Sequence, residues 1–405
     1  MADTQHSTVV SEDPVDLTPH VLDGVVNAIT IAGEKVIVGG EFTQVQNSAA
    51  GSPAIERVNI FAYDRATGLI EEGFAPQIDG AVASLETGED GTVYVGGLFN
   101  TVSGQVAKRL ARVNVADGSL HPDFTRAQVN WGTINAIVRR GQHLYIGGRF
   151  DTVSDPVTGV ERHVLARLDS ATGAVDPAFD ITLSEARRGE LLVKGMAVNP
   201  AGTKLVINGT FTKVNCENRY QIAMIDLGQT VTLSTWETHK YGNSCLEEYD
   251  TYMRGMDFSP DGSYFVVVTA GGAGFATVAM CDSAARWETD RTGRHQEPTW
   301  INYTGGDTLL SVSVTGAAIY VGGHQRWMDN PYGYNSAGPG AVERQGIAAI
   351  DPTTGKSADI PWNPTRTLGQ GAGALVATPD GLLVGSDTDQ LGGEFHGRIG
   401  EFPLP

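Results

Sequence analysis

Val95-Gly96-Gly97-Leu98-Phe99, then Leu110-Ala111-Arg112-Val113-Asn114, then Ala116-Asp117-Gly118, is the stretch that decides the fold, because it recurs. The small pair after an apolar run returns at Gly39-Gly40, Gly147-Gly148, Asn208-Gly209, Val268-Thr269, Gly322-Gly323 and Gly385-Ser386. Successive pairs lie 57, 51, 61, 60, 54 and 63 residues apart. A fixed period of about 58 residues that fills a chain marks an array of like supersecondary units rather than a set of unrelated domains.

Each unit reads as strands. Ahead of the small pair stands a first apolar segment, such as Val25-Val26-Asn27-Ala28-Ile29 or Ala81-Val82-Ala83-Ser84-Leu85, separated from it by turn residues such as Asp90-Gly91, Asp261-Gly262 or Asp380-Gly381. The third segment is apolar, small, any, apolar, then acid or amide: Leu165-Ala166-Arg167-Leu168-Asp169, Ile222-Ala223-Met224-Ile225-Asp226, Val278-Ala279-Met280-Cys281-Asp282 and Ile347-Ala348-Ala349-Ile350-Asp351. A short fourth follows, tending to end in an aromatic: Phe74, Phe124, Phe179, Trp236, Trp300 and Trp362. No helical period lasts three turns, and Gly is abundant at 51 residues.

Four antiparallel strands repeated seven times imply an all-β chain, a seven-bladed β-propeller in a single domain over 1–405. The blades are expected near 21–80, 81–130, 131–190, 191–250, 251–305, 306–370, and 371–405 together with 1–20. The last unit has three strands of its own, so the N-terminal segment around Asp13-Pro14-Val15-Asp16-Leu17 is expected to close the ring beside Arg398 to Phe402 and hide both edges.

Forty-seven acidic against 28 basic residues give a net charge of −19, which argues against nucleic acid and anionic lipid as partners. No apolar run reaches membrane-spanning length, so no membrane insertion is expected. Nine histidines are scattered without a His-Glu-x-x-His or Cys/His pattern, and phosphate-cradling, nucleophile-elbow and dinucleotide motifs are missing. No cofactor is expected.

The units carrying Gly-Gly-x-Phe, then Ala-Arg-Val-Asn or Ala-Arg-Leu-Asp, then Asp-Gly or Thr-Gly, resemble the delta-60 class of bacterial β-propeller repeat. The later half, with Phe258-Ser259-Pro260-Asp261-Gly262, Gly322-Gly323-His324-Gln325-Arg326-Trp327 and Trp362-Asn363-Pro364, is similar to actinobacterial secreted propellers of unassigned role. The resemblance implies the fold and supplies no catalytic residue.

Candidate site residues come from where the repeat breaks. The position after the small pair holds Glu41, Leu98, Arg149, Thr210, Ala270, His324 and Asp387, expected to ring the channel mouth. The next position is Phe42, Phe99, Phe150 and Phe211 in four units and Gly271, Gln325 and Thr388 in the others. His324, Gln325, Arg326, Trp327, Arg149, Asp387, Asp389 and Tyr303 form a cationic, acidic and stacking set suited to a sugar or peptide, and equally suited to a structural network of ion pairs. Glu41, Asp387 and Asp389 are the carboxylates a hydrolase would use. Asp387-Thr388-Asp389 also invites calcium, though it lacks the spaced acids and glycine of a calcium loop. Long loops at 286–306 and 328–341 carry Tyr303, Tyr332 and Tyr334.

Cys281 aligns with buried third-strand positions and is expected to be a free, packed thiol. Cys216 and Cys245 fall in loops of one face and are expected to form a disulfide, which implies an extracellular or cell-surface protein. Met1-Ala2-Asp3-Thr4-Gln5-His6 has neither the basic start nor the apolar stretch of a secretory signal, so that location requires the signal peptide to be absent from this sequence. The reading is a monomeric, non-catalytic binding module for a carbohydrate or protein ligand. The alternatives are an enzyme acting on a glycan or similar polymer at the channel mouth and a structural spacer in a larger assembly.

Overall fold

The computed structural model describes residues 4–242, 245–272 and 279–405. Among them there is no α-helix; one 3-10 turn, Lys240–Gly242, interrupts an all-β chain. The architecture is a β-propeller. Blade one is Val25–Ala32, Lys35–Glu41 and Ile60–Asp64, paired antiparallel in that order, and the same three-strand sheet recurs down to Ala374–Thr378, Gly381–Gly385 and Ile399–Pro403. Each first strand packs beside the first strand of the next sheet, and the last of them, Ala374–Thr378, packs beside Val25–Ala32. The fourth strand is slight. It is a paired strand in blades four and five, Val231–Leu233 and Trp300–Tyr303, but a single bridge in the first three: Tyr63 with Ile70, Val113 with Leu120, and Leu168 with Val175.

The recurring glycine pair has two separate causes. A Cβ on the first member would strike the next blade: 2.5 Å from a Val82 methyl at Gly39, and 2.5 Å from a Val26 methyl at Gly385. A Cβ on the second would strike its own first strand, 2.0 Å from the Val25 carbonyl oxygen at Gly40. The first glycine therefore lets sheets approach, and the second accommodates a bulge in the inner strand, where register shifts between Val26 and Ala28, and between Val82 and Ser84. In blade four Asn208 replaces the first glycine and donates across to the Arg254 carbonyl at 2.8 Å.

Inner strands are edges and leave backbone groups facing the channel. Side chains of neighbouring blades cap them: Ser84 Oγ accepts the Ile137 amide at 3.0 Å, Asp257 accepts the Val314 amide at 2.8 Å, and Asn135 donates to the Val193 carbonyl at 2.9 Å. Between blades lie seven apolar clusters, such as Ile37, Ala62, Val82, Leu85 and Phe99 between blades one and two. The N-terminal segment runs along Ile399–Pro403: the Ser11 amide donates to the Pro403 carbonyl at 2.7 Å and Val15 to Glu401 at 2.9 Å.

Two expectations about blade five are corrected. Its third strand is Ser283–Glu288, paired with Tyr264–Thr269, and not the segment ending at Asp282; Val278 lies outside the described residues. Cys281 is consequently in the connection before that strand. It is bonded to Cys245, with Cα atoms 5.8 Å apart, and Cys216 is the free, exposed thiol. The reason is topological. In blades one, three and four the connection after the second strand pairs with the segment leading into its own blade, as Gln44–Gln46 pairs with His20–Val21, and in blade five Leu246 N likewise donates to the Gly271 carbonyl at 2.9 Å, so Cys245 faces blade five and not blade four. Cys216 sits instead at the tip of the blade-four hairpin, between Phe211–Val214 and Glu217–Asn218, with a left-handed φ of 66°.

Candidate functional site: the hairpin crown and its groove

Six of those connections form short β-hairpins among the described residues, and together they make a crown on one face. Their anchor is a spacing of three. Phe42 with Val45, Phe99 with Val102, Phe150 with Val153, Phe211 with Val214, Gln325 with Met328 and Thr388 with Leu391 stand at equivalent places, and all but Thr388 are buried. The phenylalanines therefore fill the space between blades beneath the hairpins.

Above these anchors the crown is unusually apolar. Of the large hydrophobic side chains that stay exposed among the described residues, Leu98, Val106, Trp131, Val157, Tyr332, Tyr334 and Phe395 lie on the crown, and Leu69 alone lies on the opposite face. Single exposed apolar side chains need no explanation; their concentration on one face sets the crown apart from the rest of the surface.

The crown is concave between blades three and four, where a cavity of about 730 Å³ is lined by Trp131, Arg149, Asp151, Glu161, Arg162, His163, Asp180 and Glu190, with Phe150 and Leu183 below. Trp131 is 54% exposed and has a φ of 50°, a left-handed conformation that costs a bulky residue free energy. Gly132, next in the chain, lies against the Arg149 carbonyl, where a Cβ would come within 2.0 Å. Asp23 and Asp79 occupy the equivalent place in blades one and two. Each caps hairpin amides, Thr43 N at 2.8 Å and Asn100 N at 2.7 Å. Blade three gives up that cap and displays an indole. The Arg149 guanidinium lies over the ring at 5.5 Å and pairs with Glu190 at 3.4 Å, while Arg162 reaches Asp180 at 3.7 Å and His163 Nδ1 meets the Asp151 carbonyl oxygen at 2.7 Å.

Arg149 is thus the one residue of the expected set that lines this groove. Glu41 is exposed at the end of its strand, opposite Val25. His324 turns back on its own blade, its Nε2 accepting the Thr308 amide at 3.3 Å. Gln325 is fully buried. Arg326 forks onto Asp307 at 2.7 and 3.0 Å and stacks on Trp327 at 4.4 Å; the Asp307 hydrogen bond raises its pKa. Asp387 accepts the amides of Gln370 at 2.6 Å and Gly371 at 3.1 Å, and Asp389 is exposed. Tyr303 is half-buried on the outer strand of blade five, its hydroxyl pKa raised by burial.

Sequence reading missed Arg366, which joins blades six and seven. Buried at 2% exposure, it donates to Thr388 Oγ1 at 2.6 Å and to the carbonyls of Gly323 and Leu368, and burial lowers its pKa to about 10 against the opposing pull of Asp387. It missed Asp282 as well, whose carboxyl is pushed up to about 7, first by burial and then by Asp307, despite the amides of Gly271 and Gly272 and the nearby Arg254. The central channel itself holds a cavity of about 230 Å³ lined by all seven inner strands, into which Lys194 projects with its pKa lowered by burial and by Arg254. No group of three or more His, Cys, Asp or Glu side chains among the described residues is arranged to hold a metal ion.

A family described as a domain of unknown function with a β-propeller fold, DUF5122, matches residues 89–124, within blade two. No curated protein matches the chain. Among solved structures, that of the computationally designed Ika8 protein is similar over 94% of this chain and 97% of its own, at 12% identity and a TM-score of 0.47.

Proposed function

We propose that the protein is a non-catalytic binding module of the cell exterior that offers its crown to a carbohydrate, with the groove of Trp131 and Arg149 as the contact site. The observation that carries this is Trp131 itself: a strained, exposed indole set where two other blades keep a structural aspartate. An apolar ring face flanked by fixed hydrogen-bonding groups is the combination a sugar ring needs, since sugars present both C–H faces and hydroxyls. Arg162, His163, Glu161 and Asp180 supply donors and acceptors on the groove wall. A disulfide persists in oxidising surroundings, which supports placement outside the cytosol.

A glycan array probed with the wild type and Trp131→Ala tests the reading. Binding by the wild type that the variant loses while its melting temperature stays unchanged is the expected result. Array-wide silence of the wild type, or equal binding by both proteins, would remove the carbohydrate reading, and capture of a protein by the same face would replace it.

A further inference from the structure

The segment leaving blade four and the loop between the third and fourth strands of blade five run together away from the crown. Glu237 N donates to the Gly293 carbonyl at 3.1 Å, Gln296 N donates to the Glu237 carbonyl at 2.8 Å, and Thr238 Oγ1 donates to the Gln296 carbonyl at 2.9 Å. That double stitch brings His239 and His295 face to edge, their Nδ1 atoms 3.1 Å apart and their ring centres 5.1 Å apart. His295 reaches this pose through a left-handed φ of 60°, uncommon for a residue with a side chain.

From the geometry we propose that this pair is a surface site for one first-row transition-metal ion of the zinc or copper(II) kind, bound by the two Nδ1 atoms with water completing the shell. Two nitrogens each about 2.0–2.1 Å from a common ion lie about 2.9–3.4 Å apart for bond angles between square and tetrahedral. The observed 3.1 Å falls inside that bite. The same contact is a hydrogen bond between the rings, one Nδ1 donating to the other, so metal uptake requires the donating ring to carry its hydrogen on Nε2 instead. The Glu237 carboxylate, nearly buried and fixed by the His295 amide at 3.1 Å, lies 4.0 Å from His295 Nδ1 and adds the negative charge a dication favours. Bound metal would clamp blade four to blade five, because its two ligands come from different blades.

Titration of the intact protein with copper(II), followed by electron paramagnetic resonance, and a thermal melt with and without zinc test the site. Expected are a one-to-one complex whose hyperfine pattern reports two nitrogens and a melting temperature raised by zinc, both lost in His239→Ala and in His295→Ala. His239→Gln serves if either alanine variant melts early in the absence of metal. A wild type that takes up neither ion, or uptake unchanged in these variants, overturns the proposal.

Discussion

The Val15 amide hydrogen-bonds the Glu401 carbonyl at 2.9 Å, so the start of the chain lies against the last strand of its final sheet. The contact is part of a longer seam in which Trp362 Nε1 donates to the Ser11 carbonyl at 2.9 Å, Val10 N donates to the Tyr320 hydroxyl at 2.9 Å, and Val10 is buried among Leu375, Leu382 and Phe402. Removing residues 1–20 would uncover that edge and forfeit the burial of Val10 alone by about 1.5–3 kcal/mol. A lower melting temperature and a new tendency to associate are expected, read by calorimetry and by size-exclusion chromatography. A truncated chain that melts and elutes like the parent would show that the seam contributes nothing to closure.

Cys245 and Cys281 are 36 residues apart in sequence. Chain-entropy arguments give a crosslink of that length about 4 kcal/mol through restriction of the unfolded chain. Replacing both by serine should lower stability by an amount of that order. Alkylation of natively oxidised protein should label one thiol, at Cys216, and finding three labelled thiols would refute the bridge.

Asp282 makes stability depend on pH in a defined direction. Its folded-state pKa of about 7 lies above the ordinary 3.8, so the protonated acid is bound more tightly in the folded protein. The resulting stabilisation is complete below 3.8 and is lost as pH rises through about 7. Asp282→Asn removes the titration while keeping the shape. The variant should therefore gain on the wild type in melting temperature as pH rises from 3.8 to about 7 and hold that margin above it, and parallel pH profiles would contradict the assignment.

Phe150 and Trp131 border the same groove and should fail differently. Phe150 is fully buried beneath the hairpin, so Phe150→Ala opens a cavity and should cost about 3–5 kcal/mol in chemical denaturation. Trp131→Ala should cost little, because the indole it removes is 54% exposed, and Trp131→Gly, which takes the left-handed backbone without strain, is expected to be neutral or slightly stabilising. Equal losses in the two positions would mean that the indole is a packing residue.

The repeat was legible because its cause is local and strict: wherever a sheet must touch its neighbour at Gly39, Gly96 or Gly385, a side chain does not fit, and the letter is forced. The crown was less legible, since its hairpin strands are only two to four residues long and show as Phe42 with Val45 rather than as a periodic run. The disulfide required knowing that a crown connection packs on its own blade's lead-in, as Leu246 N on the Gly271 carbonyl shows, a three-dimensional fact without a sequence signature. Aligning His324 with Arg149 by position placed them at comparable points of their blades, but the neighbours that decide their roles, Thr308 for one and Trp131 for the other, come from lead-in segments whose residues differ from blade to blade.

Pairing the hairpins of blades one, three and four with their own lead-ins also separates the crown tips from the ring. Blade two turns through residues 103–104 and blade six through 329–341, yet Gly97 and Gly323 lie equally close to their own inner strands, with a Cβ 2.1 Å from the carbonyl in each. The tips can therefore be lengthened, swapped or recoded one at a time while the wheel beneath keeps its dimensions, much as separate keys are cut on identical blanks.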